Sequence, residues 1–325
     1  MKITPAAIAL LVVLCAGVTA GSARGPSTSV LRNGSLVFDG VGSSTQTVQI
    51  YRVAPNGKGL RQLTHAQGKV WNECPGWSSS GRSIFFDSLD RSTAAPSHIY
   101  RMRADGSGRQ LADQPRATDH LCPSVNRSGT RVAAIEYTSD NRNLIVTMSP
   151  RGGNLRVVAR ASRVQDNYGP DYVPWGLRLA FYRVTYAKSG TGLLRSDLIV
   201  RNGKRNRAIT RGSKRKYYSP SWARDGSSLI AVRGQSTIVR MRPNGTAVRV
   251  IASVRHGHIS SAVLSPNGKK IAFVRCIGDC GDPFEPGKGS IWVMNANGTG
   301  RDAILTQSTA GVQPAGRVDW APKPR

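Results

Sequence analysis

The feature that most constrains this chain is a glycine that returns at near-constant intervals, each time between two short apolar stretches. It stands at Gly34, Gly81, Gly129, Gly176, Gly226 and Gly268, at spacings of 47, 48, 47, 50 and 42 residues. The clearest copy runs from Cys74 to Leu111. It opens Cys74-Pro75-Gly76-Trp77, turns at Gly81 and continues as Ile84-Phe85-Phe86. A polar loop then leads to His98-Ile99-Tyr100-Arg101-Met102, a turn at Asp105-Gly106 and a last stretch, Arg109-Gln110-Leu111. Short β-branched and aromatic runs between Gly, Asp, Asn and Pro are what strands look like in a sequence. Asn-Gly and Asp-Gly pairs favour hairpin turns because both central residues take positive φ at little cost. Each copy therefore predicts four strands, and a four-stranded unit returning every 40 to 50 residues or so predicts a β-propeller blade.

The second half of the unit occurs six times. Besides the copy above, Ile50-Tyr51-Arg52-Val53 precedes Asn56-Gly57, Leu144-Ile145-Val146 precedes Gly152-Gly153, and Leu198-Ile199-Val200 precedes Asn202-Gly203. Ile238-Val239-Arg240-Met241 precedes Asn244-Gly245, and Ile291-Trp292-Val293-Met294 precedes Asn297-Gly298. Let the strands of a blade be a to d from the axis outward. The first copy starts at strand b, Leu36-Val37-Phe38, whereas Gln313 to Trp320 carries the a pattern with no b strand after it. The C-terminus thus supplies the missing strand, closes the ring and covers two sheet edges that would otherwise invite aggregation. The expected fold is all-β: a six-bladed propeller of four-stranded antiparallel blades over 34–325, closed by the C-terminal strand. Trp77, Val125, Tyr172, Trp222, Leu264 and Trp320 align near the end of strand a and are expected to pack between blades.

Ahead of the repeats, Lys2 and the apolar run Ala6 to Val18, followed by Val18-Thr19-Ala20, have the layout of an export signal over 1–20. The run is shorter than the ~20 residues of a membrane span; retention as an uncleaved anchor is the alternative. Bulky Leu14 ahead of Cys15 argues against a lipoprotein cleavage box. Residues 21–33 read as a polar linker. The expected location is secreted or periplasmic, at the cell envelope. Four cysteines remain after the signal, an even number that suits disulfides in an exported chain. Cys276 and Cys280 share one loop and are expected to pair. Cys74 and Cys122 occupy equivalent places in successive copies and are expected to join two inner strands. Zinc is the weaker reading, because the cysteines lack paired Cys-x2-Cys spacing. No metal or other cofactor is expected.

Forty-six Lys and Arg against eighteen Asp and Glu give a net charge of +28, which attracts anionic polymers or acidic proteins. The densest stretch, Arg201 to Lys216, has eight basic residues and no acidic one, with Tyr217-Tyr218 following. No nucleic-acid-binding motif accompanies it, so nucleic acid is not the expected partner.

The repeat resembles the TolB-type propeller repeat, whose core reads Pro-x-Trp-Ser-Pro-Asp-Gly-Lys-x-Ile-Ala-Phe with Ile-Tyr-Val-Met and Asn/Asp-Gly downstream. Pro220-Ser221-Trp222-Ala223-Arg224-Asp225-Gly226 is close to it, Leu264-Ser265-Pro266-Asn267-Gly268-Lys269-Lys270-Ile271-Ala272-Phe273 closer, and Ile291-Trp292-Val293-Met294-Asn295-Ala296-Asn297-Gly298 completes it. The likeness covers the blades and not the N-terminal α/β domain that TolB carries before its propeller, since only residues 21–33 lie between signal and blades. It implies a class used mainly for binding, with some relatives fused to peptidases or acting as lyases.

Chain direction puts the d-to-a and b-to-c loops on one face and the glycine turns on the other. The first face varies in sequence and is the expected site. Its candidates at the channel mouth are Trp71, Asn72 and Glu73, Asp119 and His120, Asp166, Asn167 and Tyr168, Lys216, Tyr217 and Tyr218, and His258. Glu73, Asp119, His120 and His258 include the residue types that bind a divalent cation or do acid/base work. The loop from Cys276 to Gly289 carries Asp279, Asp282 and Glu285 at three-residue spacing; it matches no calcium-loop pattern and is expected to be a solvated, disulfide-pinned lid beside the mouth. No Gly-x-Ser-x-Gly elbow, His-Glu-x-x-His or phosphate loop is present. The expected function is a non-enzymatic, monomeric protein-binding module of the envelope. The alternatives are an enzyme acting on envelope polysaccharide or peptide, and charge-driven binding of anionic surface polymers.

Overall fold

The structure is a computed structural model that describes residues 32–42, 47–114, 118–126, 128–173, 176–189, 192–278 and 287–323. The signal segment, nearly all of the linker, Cys280 and the loop carboxylates Asp279, Asp282 and Glu285 lie outside these residues. So does the expected Cys276–Cys280 pair.

Among the described residues twenty-four strands form six four-stranded antiparallel sheets. In blades two to six the strands follow one another from the axis outward. Their inner strands are Val70–Trp77, Asp119–Val125, Gln165–Tyr172, Tyr217–Trp222 and His258–Leu264. Blade one takes its inner strand from the C-terminus: Val312–Pro322 pairs antiparallel with Asn33–Gly42, Leu36 facing Trp320 and Phe38 facing Val318. Among the described residues no helix is long and apolar enough to cross a membrane.

The core is distributed around the ring. Six clusters of buried side chains sit one at each junction between neighbouring blades. Strand b of blade two explains the arrangement. Alternate residues of a strand point to opposite faces, so Ile84 and Phe86 pack toward blade one while Phe85 packs toward blade three. The unbroken Ile84-Phe85-Phe86 run is the mark of a sheet buried on both faces. The aligned aromatics behave as expected: Trp77, Tyr172, Trp222 and Trp320 are buried. The indole N–H groups of Trp222 and Trp320 donate to the carbonyls of Asp171 (3.1 Å) and Gly34 (3.0 Å).

The recurring glycine turns at φ of 67° to 83° in blades two to six. Gly34 differs, lying within strand b of blade one, because the strand before it comes from the other end of the chain. The outer turns correct one expectation. At Asn56, Asp105, Asn244 and Asn297 only the following glycine has positive φ. The Asn or Asp side chain instead accepts the N–H two residues on, from Lys58, Ser107, Thr246 and Thr299 at 3.0–3.1 Å. This local bond favours Asn and Asp in turns without a left-handed backbone. The glycine has a second reason to be there. A Cβ on Gly245 would lie 1.9 Å from the carbonyl oxygen of Ile209 in the previous blade, and one on Gly298 2.0 Å from that of Ile251.

Cys74 and Cys122 form the expected disulfide, joining the inner strands of blades two and three. Such a bond points to an oxidising compartment.

Two stability predictions follow from this geometry. Gly268→Ala meets open space at φ 71° and should cost about 1–2 kcal/mol for the left-handed backbone alone. Gly245→Ala should cost more, about 3 kcal/mol or above, because the neighbouring backbone must move; urea unfolding of both variants tests the difference. Replacing Cys74 and Cys122 by serine opens a link across a sequence separation of 48. It should cost about 4 kcal/mol by loop entropy, read as a lower denaturation midpoint than that of the oxidised protein.

Candidate functional site: the axial channel

Every inner strand breaks register with its neighbour near the middle, between Glu73 and Gly76, Leu121 and Ser124, Tyr168 and Asp171, Tyr218 and Ser221, and Ile259 and Ser261. Blade one does so opposite Phe38 and Gly40. In four blades the irregularity holds a positive-φ residue followed by proline: Cys74 (51°), Cys122 (49°), Gly169 (55°) and Ser219 (45°). Bulges re-aim side chains, and proline offers no N–H to be left unpaired there. The Pro of the repeat motif thus serves the channel wall.

Hydrogen bonds reach an inner strand across every junction. Asp39 accepts the Cys74 N–H (2.9 Å) and Asp319 the Trp77 N–H (2.6 Å), joining blades one and two. Asp87 accepts the Cys122 N–H (2.8 Å), and the Ser124 hydroxyl accepts the Tyr172 N–H (3.0 Å). Asp171 accepts the Trp222 N–H (2.8 Å). The Ser219 hydroxyl donates to the Ser260 carbonyl (2.9 Å), and the Ser260 hydroxyl to the Ala315 carbonyl of blade one (3.2 Å). Burial raises the carboxyls of Asp39 and Asp87, the latter aided by Glu73 nearby, and pushes Asp171 up to about 7 against the pull of Arg317.

The residues expected at the mouth divide by strand alternation. Asn72, His120, Asn167 and Tyr217, equivalent in four blades, are all buried between blades. Asn72 donates to Gln49 (3.0 Å). Asn167 donates to the carbonyls of Asn143 (3.2 Å) and Arg160 (3.1 Å) and accepts from Arg183 (2.9 Å). His120 sits with Nδ1 2.8 Å from Asp113 and Nε2 3.5 Å from Glu136. His98, at the start of the third strand of blade two, places its Nδ1 3.4 Å from the same Asp113. One residue earlier in the strand, Asp119 accepts the Ser97 N–H (2.6 Å) and Asp166 the Asn143 N–H (2.9 Å). At the same level Trp71 is buried under the Arg91 guanidinium, 3.4 Å from its ring centre, and the Lys216 ammonium donates to the Leu193 carbonyl (2.8 Å). Glu73 is half-buried, its carboxyl pushed up to about 7 by burial and by Asp39, against Arg91. Tyr168 stacks on Tyr182 at 5.4 Å, and Tyr218 meets Tyr182 edge-on at 5.6 Å. His258 is partly exposed and pairs with Cys276 across the sheet.

Inside the mouth lies a cavity of about 290 Å³, lined by Tyr168, Tyr182, the Cys74–Cys122 bridge, serines of blades five and six, and Asp171, Arg317 and Asp319. A smaller space of about 80 Å³ lies beyond these last three residues, against Trp77, Trp222 and Trp320. Arg317 donates to the Pro123 carbonyl (3.3 Å), and below it Arg224 reaches from blade five to the Ser79 carbonyl of blade two (2.7 Å). Of the twelve predicted mouth residues only Tyr168 lines the larger cavity. Asp171, Asp319, Arg317 and Tyr182 were missed. A signal for the first two was present, since each directly precedes an aligned aromatic, Tyr172 and Trp320.

The set Glu73, Asp119, His120 and His258 does not come together. Among the described residues the group of three with ligand atoms close to one another is Cys74, Asp87 and Cys122, and the disulfide consumes both thiols.

The architecture superposes on TolB from Acinetobacter baumannii with a TM-score of 0.68 at 15% identity, over 89% of this chain and 67% of that one. The fold is that of a TolB-like propeller. A chain of a nidogen/laminin complex matches this propeller with a TM-score of 0.64 at 10% identity, over 89% of this chain and 98% of that one. An oligogalacturonate lyase from Vibrio parahaemolyticus matches with 0.52 at 13%, over 86% and 85%. No protein-family model matches the sequence, and no curated protein is detectably similar to it.

The buried His120 carries a pH prediction. Burial alone lowers its pKa, but the hydrogen bonds and charges of Asp113 and Glu136 outweigh that and raise it to about 9. A histidine held above its unfolded value stabilises the fold fully below about pH 6.5 and loses that contribution as pH rises through about 9. Unfolding free energy should fall between pH 6.5 and 9.5, and His120→Asn should flatten that fall; equal slopes in both proteins would remove His120 as its source.

Proposed function

We propose that this TolB-like propeller is an exported binding module of the cell envelope that presents its channel mouth to a partner protein and catalyses no reaction. In this reading residues 1–20 are a signal peptide, 21–33 a linker and 34–325 the propeller, which acts as a monomer. One observation carries it: three of the ionisable side chains expected at the mouth are engaged in holding the blades together. Asp119 and Asp166 hold backbone N–H groups of the neighbouring blade, and His120 is buried against Asp113. What remains at the mouth, besides Glu73 and His258, is a tyrosine cluster, Tyr168, Tyr182 and Tyr218, beside the basic Lys214-Arg215-Lys216. Burial raises the pKa of all three tyrosines, so they stay neutral. Tyrosines offer large, rigid contact area with a polar tip. That the structural neighbours include TolB and a chain in complex with laminin or nidogen supports a binding role.

The catalytic alternative draws on the lyase neighbour and on Asp171, which faces the cavity with its proton held near neutral pH. Against it, Asp171 is already committed to the Trp222 N–H. The polymer alternative draws on the groove lined by Arg195, Lys214, Arg215 and Lys216.

The test is capture of envelope extract on the immobilised mature protein at low salt and at about 0.15 M, where exposed charges are screened beyond ~8 Å. A defined protein should stay bound at the higher salt, and Tyr218→Ala should weaken its capture at least tenfold while the melting temperature holds. Retention of anionic polymer alone, lost as salt rises, would replace protein binding with charge-driven adhesion.

A further inference from the structure

We propose that the chamber inside the channel mouth is a binding site for a single neutral pyranose ring, a free monosaccharide or one unit of a glycan. This goes beyond the docking of a partner protein at the mouth and is tested separately from it. Three features carry it.

The first is size. About 290 Å³ lies near the lower end of small-molecule sites. At its inner end stand Arg317, anchored on the Pro123 carbonyl, and Asp171 and Asp319, and the space beyond them is only about 80 Å³. A ring-sized group fits in the larger space and not in the smaller one beyond it.

The second is charge. The protein as a whole stands at +28, yet among the described residues the chamber's one cationic side chain, Arg317, shares it with Asp319 and with Asp171, whose proton burial holds to about 7, so its charge is close to balanced near neutral pH. Anionic ligands are drawn to the outer surface and gain little here, and a cation meets Arg317. A neutral ligand is the one that this balance does not penalise.

The third is hydrogen-bonding capacity against an aromatic wall. Ser219 and Ser260 each spend their hydroxyl hydrogen on a carbonyl, which leaves oxygen lone pairs for incoming O–H groups. Arg317 places one N–H on Pro123 and keeps others. The stacked Tyr168 and Tyr182 pair closes one side of the chamber. Alternating hydroxyls with an apolar C–H face is what a pyranose offers in return.

The experiment titrates the full mature protein with D-glucose, D-galactose and N-acetyl-D-glucosamine, and with the charged D-galacturonate and D-glucosamine, by calorimetry and ligand-observed NMR. At least one neutral sugar should bind at least fivefold more tightly than both charged sugars. Tyr168→Leu should weaken it at least tenfold, and Ser221→Leu, filling the chamber from blade five, should abolish it. Melting temperatures confirm that each variant folds. Absence of sugar binding, preference for galacturonate or glucosamine, or binding that survives in a folded Ser221→Leu protein would overturn the proposal. Protein capture without sugar binding would sink this inference alone, and sugar binding without protein capture would sink the docking reading alone.

Discussion

Each blade of this protein is apolar on both faces, and neither face can be buried by the blade itself. Phe85 and Phe86 point to opposite neighbours, so the six cores lie between sheets and none within one. Every blade therefore depends on two others, and an open row would leave two large apolar faces in water. The C-terminal strand removes that cost. By pairing Val312–Pro322 with Asn33–Gly42 it makes blade one from both ends of the chain and converts a row into a ring. The same pairing carries Arg317 and Asp319 to the axis, so the step that closes the fold also furnishes the inner end of its chamber.

A ring brings six inner strands together around an axis, where their backbone would meet with unsatisfied polar groups. The bulges and their prolines answer this by turning the wall irregular. Carboxylates and the Ser124 hydroxyl then take up N–H groups between blades one and five, and the Ser219 and Ser260 hydroxyls bond carbonyls at the remaining two junctions. The cost is visible in Asp87 and Asp171, whose burial raises them well above the ordinary carboxylate range. Buried acids of this kind read as catalytic in isolation. Here each accepts a backbone N–H of the next blade, and their perturbation comes from the position that holds the ring together.

Much of the architecture was legible because a repeat exposes its own rules. The glycine spacing, the unpaired strand at each end and the equivalent placement of Cys74 and Cys122 led to the ring, its closure and a disulfide. The mouth was legible only in part. Sequence located the starts of the inner strands, but alternation sends successive residues different ways. Asn72, His120, Asn167 and Tyr217 turned between blades, while Tyr168, one residue on, faced the cavity. Asp39 and Asp87 follow their apolar triplets as plainly as any residue in the repeat, yet their partners, the N–H groups of Cys74 and Cys122, lie 35 positions away. A bond between a side chain and a remote backbone has no pattern of residue types to betray it.

The separation of charge between surface and axis bears on what such a propeller can recognise. The basic stretch from Arg201 to Lys216 lies on and around blade four, where long-range attraction to an acidic partner or polymer raises encounter rates and falls with salt. The axis obeys a different rule, since an unmatched cation out of water is costly, and the half-buried Arg317 lies close enough to Asp171 to pull on its proton. Attraction at the rim gathers partners broadly. Discrimination is left to the tyrosines and hydroxyls farther in, where fit and hydrogen bonding decide and salt has little to screen.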